Sequence, residues 1–432
     1  MNIIAIDIGA SFLKGALFKE NKLIKKSFRR SPDRPIVPDV LIQLSPLISN
    51  IYDLLYELSP ENGKAVLAIS NEMHGFVLCD ENGFPRTEYI SWQKEFGGER
   101  LKDGTTAVER FAKYSNEIRN TGMPFRKSLP SANLRYFIEK VGRRVNHFYT
   151  MGDFVIRSLS GKEPYCHATN AAATGLYDIC AGDWNRTLIN AAGAEKIQFP
   201  EIGSKTIDFK LGDLELTALP AIGDQQATLI GAGLKNKSDI SFNLGTGAQV
   251  SRLTDDLDFS DRWQIRPYFN GRYLKTVPHL PSGRAVNVFF RLIREAALRF
   301  APNVSDDEIW SYILKAVGGA DGSAMKCDLS FFENPITDHE KGSITDIGEY
   351  DLNVGNLFKT VFEQMVDNFI SAADMLSFDS TKIRRVVLSG GIADKIDAVR
   401  NRIMDNYRGA EFIRSEDESL CGLAMYAMKE LR

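Results

Sequence analysis

The sequence predicts an α/β fold built from two copies of one domain, each a sheet covered by helices, and two observations carry that prediction. The run Ile3-Ile4-Ala5-Ile6-Asp7-Ile8-Gly9-Ala10-Ser11 is written again 236 residues later as Asp239-Ile240-Ser241-Phe242-Asn243-Leu244-Gly245-Thr246-Gly247. In both, an apolar strand ends in Asp or Asn, one aliphatic residue, a Gly and small residues, and a second strand follows at 14–18 or 248–253. The order of elements after each hairpin also repeats, as helix and then buried strand, and such alternation implies a mostly parallel sheet between helices.

The elements follow in order. Lys22–Phe28 extends the first hairpin as a third antiparallel strand after the Glu20-Asn21 turn. Leu41, Leu44, Leu47, Ile48, Ile51, Leu54 and Leu55 recur at helical spacing. Ala65–Ser70 is a short apolar run of buried-strand type, ending at Asn71-Glu72-Met73-His74-Gly75. In the second half, 354–376 reads as a long amphipathic helix and 383–389 as a strand ending in Gly390-Gly391. A helix over 394–407, a strand over 410–413 and a closing helix complete the copy. The boundary between copies falls near 218–223, giving domains 1–222 and 223–432, with no Pro/Ser-rich linker between them.

At 432 residues the chain exceeds one ordinary core. A 44% apolar, 25% charged composition with net charge −3 provides neither the basic face of a nucleic-acid binder nor the apolar span of a membrane protein. Five scattered cysteines without a CxxC pair are the usage of a reducing compartment. No basic and apolar leader precedes Asp7, so the expectation is a cytoplasmic protein.

Several residues are candidates for chemistry. Gly at the two hairpin turns lets backbone N–H groups converge on an anion, and two such loops facing each other would clamp a polyphosphate. The Asp7 carboxylate at the mouth of the first loop suits Mg²⁺, which takes one or two carboxylates and keeps several waters; Lys14 follows within reach of a phosphate. Asp7-x-Gly9 alone is better explained by a plain hairpin with a charged turn, but its second copy shifts the balance. There the acid is Asn243, so only the first loop should organise a metal. Gly390-Gly391 between a strand and a helix lets a nucleotide approach the backbone, or is simply a tight turn. Asp224, in Gly223-Asp224-Gln225-Gln226-Ala227, either caps the helix that follows or acts as a general base at the domain boundary. Met73-His74-Gly75 and Trp92-Gln93 present polar atoms beside flat or apolar surface, as a sugar site does, although a lone His is more often structural.

In this order and spacing the fragments resemble the FGGY family of carbohydrate kinases, in the actin-like ATPase superfamily, through nearly the whole chain. Asp7-Ile8-Gly9-Ala10-Ser11 with Lys14 is similar to the family's first phosphate motif, DxGTSxxK. Ser70–Gly75 resembles the (S)xQMHG of xylulokinases and sedoheptulokinases, and 170–178 resembles S.AS.TGLFD. Gly223–Ala227 resembles GGDNAA, Asn243–Gly247 the second phosphate loop, Ser389–Gly391 the adenosine motif and Leu420–Ala424 the C-terminal ALGAA. The resemblance implies two ribonuclease H-like domains, each a mixed five-stranded sheet flanked by helices, around an interdomain cleft. It implies Asp224 as catalytic base and Asp7 as the Mg²⁺ residue. It implies Gly9, Ser11, Lys14, Gly245, Thr246, Gly247, Gly390, Gly391 and Asp394 as ATP-binding residues. Met73, His74, Trp92, Gln93, Asp224 and Gln225 would hold a ketose or related sugar, most like xylulose or sedoheptulose. A homodimer is a further expectation from the family.

The departures lie on the sugar side. Lys94 stands where the family commonly has an acid two residues after the Trp, and Glu72 replaces the Gln of QMHG. The segment 255–350 matches the usual PYL.GER.P poorly, with Phe331–Pro335 its nearest counterpart. A sugar-binding chain that has lost turnover and a non-sugar actin-like ATPase therefore stand beside the sugar-kinase reading.

Overall fold

A computed structural model of the chain describes residues 1–32, 44–141, 145–245, 248–337, 339–376, 382–414 and 417–431. Two mixed sheets form its frame. The first contains β1 (Asn2–Ile8), β2 (Phe12–Lys19), β3 (Lys22–Arg30), β4 (Lys64–Asn71), β5 (Ile207–Leu211) and β6 (Leu214–Ala218), in the spatial order β3-β2-β1-β4-β6-β5. A two-residue strand, β7 (Ile222–Gly223), also pairs with β4. The second contains β8 (Asp239–Asn243), β9 (Gln249–Thr254), β10 (Gln264–Pro267), β11 (Tyr273–Val277), β12 (Arg385–Ser389) and β13 (Glu411–Ile413), ordered β10-β11-β9-β8-β12-β13.

The duplication read from the sequence is present in the register. Asp7 is opposite Lys14 across the first hairpin and beside Ser70 on parallel β4. Asn243 is opposite Gln249 and beside Ser389 on parallel β12. Each Asp or Asn that ends a central strand thus has a serine as its parallel neighbour.

The expectation of five strands per sheet needs correction. Both sheets keep a five-strand order of antiparallel triplet followed by two parallel strands, and each adds one antiparallel edge. In the first the addition is β5, returned by a tight turn through Gly212 at φ +57° onto β6. In the second it is β10, beside β11. The two additions lie at opposite edges, so they do not interrupt the shared central order. The helix expected over 394–407 is also two helices, Gly391–Lys395 and Asp397–Asn406, because Ile396 is extended at φ −119°, ψ 95°.

One face of the first sheet buries Ile4, Ile6, Leu67 and Ile69 against helix Leu44–Glu57, through Leu47, Ile51, Leu54 and Leu55, and against helix Met151–Ser160. Leu41 of the expected helical pattern lies outside the described residues. The other face buries Ile3, Ala5, Val66 and Ala68 under helices Asp224–Gly231 and Glu418–Glu430. The second sheet packs on helix Val354–Leu376, whose Leu357, Phe358, Val361, Phe362, Met365 and Phe369 recur at three- and four-residue spacing as a core face requires. A third cluster, from Phe76 to Ile197, fills the segment after β4 and joins the second half at Ile265.

Helices Asp224–Gly231 and Glu418–Glu430 touch backbone to backbone. A Cβ on Gly231 would lie 1.8 Å from the Glu418 carbonyl oxygen, and one on Gly422 would lie 1.9 Å from that of Ala227. Only glycine permits this approach.

Candidate functional site

The C-terminal ends of the central parallel strands converge on a cavity of about 400 Å³. Ligands of open α/β sheets bind at such strand ends. A larger groove, about 1100 Å³, opens at the opposite end of the first sheet around Asn2, Lys64 and Thr217 and shares no lining residue with it.

Asp224 is at the cavity wall, in the first turn of its helix, with Gly223 in the N-cap position and contributing no side-chain cap. The Asp224 Oδ1 accepts the Gln225 N–H at 2.8 Å, so a local end-of-helix role is partly realised. The chain leading into it is held from the segment that precedes β5. The Asn170 Nδ2 donates to the Ala221 carbonyl at 2.9 Å, the Gly223 N–H donates to the Thr169 Oγ1 at 3.1 Å, and Asn170 also bonds Asn71 at the end of β4. Asn170→Ala is expected to free the Ala221 carbonyl in a buried place and cost about 1–3 kcal/mol, checked by urea unfolding.

Burial pushes the Asp224 carboxyl up to about 7, helped by the negative charges of Asp7 and Glu72 and opposed by the Gln225 N–H and the Arg266 guanidinium. Asp7 is itself buried and accepts two hydroxyls, Ser70 Oγ on Oδ1 and Ser419 Oγ on Oδ2, each at 2.7 Å. Among the described residues no cation pairs with Asp7, and no three of His, Cys, Asp or Glu gather as a metal-ligand group.

Met73, His74, Trp92 and Gln225 all line the Asp224 cavity. His74 occupies the left-handed region at φ +62°, and its neighbour Gly75 leaves no room for a Cβ beside Tyr89. The His74 Nδ1 meets the Ala173 carbonyl at 2.7 Å and its Nε2 meets Arg266 Nη2 at 3.0 Å. A carbonyl only accepts and a guanidinium only donates, so the ring is the neutral Nδ1–H tautomer. Burial, then Arg266 and Arg126, keeps its proton affinity well below the usual imidazole range. Gln93 is exposed and does not line the cavity, a difference from the sequence expectation: with Trp92 it forms the centre of the turn closed by the Lys94 N–H on the Ser91 carbonyl, its own N–H directed to the Ser91 Oγ. Lys94 does not line it either.

The sequence expectation missed Arg126, Arg266 and His279, all in the cavity wall. Arg266 is only 4% exposed, although it lies in an otherwise uncharged strand, Gln264-Ile265-Arg266-Pro267. A charged residue inside so short and buried a strand is the signal that was available, since an arginine is rarely buried without a reason.

A second cavity, about 370 Å³, shares Ser389 with the first and is lined by Gly390, Asp394, Lys26, Arg414, Asp417 and Glu418. Gly390 adopts φ +93°, and a Cβ there would fall 2.5 Å from the Leu244 carbonyl carbon, so the Gly390 turn is pressed on the second hairpin loop. At Gly391 a Cβ would meet nothing within 4 Å, leaving open space above the backbone. Asp394 pairs with Arg414 at 2.6 Å, and Lys26 reaches across from β3 to Asp417. Thr246 and Gly247 lie outside the described residues; Gly245 precedes them directly. Gly9, Ser11 and Lys14 line neither cavity, and the Gly9 N–H is engaged within its own turn by the Phe12 carbonyl at 3.1 Å.

Comparison with known proteins adds three findings. A model of the N-terminal domain of the FGGY family of carbohydrate kinases matches residues 2–236. A glycerol kinase of Rhizobium meliloti (strain 1021) is 27% identical over 268 residues, 57% of this chain and 53% of that protein, so the chain spans about half the length of that relative. Among solved structures, a ligand-bound xylulose kinase from Lactobacillus acidophilus aligns over 100% of this chain and 89% of its own, at TM-score 0.81 and 17% identity. A gluconate kinase from the same organism gives the same coverage at TM-score 0.83 and 18% identity. At these identities the structural matches establish the fold.

Proposed function

This chain belongs to the FGGY family of carbohydrate kinases, and we propose that it transfers the γ-phosphoryl group of ATP to a terminal hydroxyl of a ketose or related polyol. The observation that carries the reading is Asp224: a carboxylate at a cavity wall, with its proton affinity raised to about 7 and polar groups converging around it. The acceptor lies among Met73, His74, Trp92 and Gln225, and its hydroxyl gives its proton to the Asp224 carboxylate as the oxygen attacks phosphorus in line. A base whose proton affinity is near neutral takes that proton readily and is still ionised beforehand. The rest of the catalysis is positioning and charge neutralisation. The neutral tautomer of His74, fixed from both sides, orients the Arg266 guanidinium.

The polyphosphate runs past Ser389 from the Asp224 cavity toward the cavity at Gly390, between Gly245 and Gly390-Gly391, with Asp394 beyond them. Gly9, Ser11 and Lys14 approach it from the facing hairpin as the cleft closes. Asp7 is the residue fitted to the Mg²⁺ carried with ATP, being one buried carboxylate oriented by two serine hydroxyls and, among the described residues, paired with no cation; one carboxylate with waters and phosphates is an ordinary Mg²⁺ set. Bound there, the ion would neutralise charge between the triphosphate and the carboxylates. The division at 222/223 separates the two phosphate hairpins, with helices Asp224–Gly231 and Glu418–Glu430 reaching back onto the first sheet.

A coupled ADP-release assay across ketoses, aldoses and polyols tests the reading: one or a few acceptors should stimulate release at least tenfold over the background. Uniform slow release whatever the sugar identifies an ATPase, and sugar binding without release identifies a chain that has lost turnover. Asp7→Ala is expected to raise the Mg²⁺ concentration for half-maximal rate at least tenfold, and an unchanged Mg²⁺ dependence would remove Asp7 from that role.

A further inference from the structure

We infer that the acceptor is a polyol with an anionic end, a carboxylate, which Arg126 and Arg266 hold in the Asp224 cavity. The inference rests on the kinase reading for the identity of the reacting end and on the two arginines for the other.

Arg266 is nearly fully buried, and its Nε–H has no hydrogen-bond partner. Its terminal nitrogens meet only neutral groups: the Met73 Sδ at 3.8 Å, the Gln225 Oε1 at 3.5 Å, the His74 Nε2 and the Gln264 Oε1. Arg126 also has a buried, unpartnered Nε–H, and its Nη1 meets the His279 Nε2. Neither guanidinium forms an ion pair among the described residues. Glu333 and Asp224 act on Arg126 and Arg266 respectively only through their fields. The Arg126 charge reaches Arg266, and the two imidazoles beside them, His74 and His279, are kept neutral by burial and by the same charges; His279 falls to about 4.

Two desolvated cations facing one cavity without an ion-pair partner among the described residues are costly to a fold. An incoming carboxylate removes that cost and accepts the fork geometry that guanidinium offers.

Titration calorimetry on the Asp224→Asn protein, which removes turnover, compares D-gluconate, the neutral hexitol sorbitol and glucose 6-phosphate; ADP release by the unaltered protein runs in parallel. Gluconate should bind at least tenfold tighter than sorbitol. Arg126→Gln added to Asp224→Asn should weaken gluconate at least tenfold and leave sorbitol within about threefold, with Arg126→Lys intermediate and melting temperature recorded for each. Equal affinity for acid and hexitol, or equal weakening of both by Arg126→Gln, overturns the inference. Tighter binding of the sugar phosphate overturns the assignment to carboxylate. Gluconate binding without stimulated ADP release upholds the arginine site and overturns the kinase reading; turnover of neutral sugars with no acid binding does the reverse.

Discussion

Asp224→Asn is expected to lower kcat by about 10³–10⁴-fold while nucleotide affinity, measured by calorimetry, changes no more than about threefold. The asparagine is nearly isosteric and its Oδ1 still accepts the Gln225 N–H, so the helix start is retained and the loss reports proton transfer. In the unaltered protein log(kcat/KM) should climb with slope one below pH 7 and level off above it, because the base must be ionised and its proton affinity is raised to about 7. A second consequence separates this from a folding defect. The folded chain keeps the Asp224 proton up to about pH 7, whereas the unfolded chain loses it near the ordinary 3.8. Between those values the folded state binds the extra proton, so stability falls as pH rises. The asparagine has no such loss. At pH 8 the variant should be more stable than its parent by roughly 2 kcal/mol, the full shift being reduced by the partial exposure of Asp224 to the cleft; at pH 4 the two should be alike. Normal turnover, or lower stability at pH 8, would contradict the assignment.

Gly422→Leu is expected to cost about 4 kcal/mol or more, the upper range for a single change, because the obstacle is backbone and cannot rotate away. The new Cβ alone would fall 1.9 Å from the Ala227 carbonyl oxygen, and the facing Gly231 is equally tight on Glu418. The helices must part, uncovering Ile3, Ala5, Val66 and Ala68, and the Ser419 hydroxyl must leave Asp7. Ser419→Ala is the control: it removes the hydroxyl without moving the helix, costs about 1 kcal/mol, and should still weaken the response to Mg²⁺. Urea unfolding measures both, and a Gly422→Leu protein as stable as its parent would refute the close helix contact.

Much of the frame was legible because it is written in local patterns. The β1–β2 and β8–β9 hairpins, the strand ends at Ser70 and Ser389, helix Val354–Leu376 and the helix beginning at Asp224 all follow from alternation, helical spacing or a glycine at a turn. What escaped was set by distant contacts. The edge strand β5 depends on where β6 docks beside β4, and the break at Ile396 depends on packing rather than on Gly or Pro. The segment from Phe76 to Ile197 has short elements whose partners are far away in sequence. Arg126 and Arg266 are 140 positions apart, and an arginine carries no spacing signature, so only the assembled cleft places them together. Gln93 shows the converse: adjacency to Trp92 implied a shared role, but the turn directs it outward.

The Asp7–Ser419 hydrogen bond joins residues 412 positions apart, and it bears on the order in which the molecule can become competent. Strand β1 leaves the ribosome well before helix Glu418–Glu430, which helps to cover its sheet, completes the environment of Asp7 and is synthesised some four hundred residues later. Until then one face of the first sheet lacks one of its two covering helices and its acid lacks one of its two hydroxyl donors. Contacts of such long sequence separation form late and slowly, and domains emerging earlier must wait with apolar surface exposed. Partly made copies of the chain thus lack the finished surroundings of Asp7.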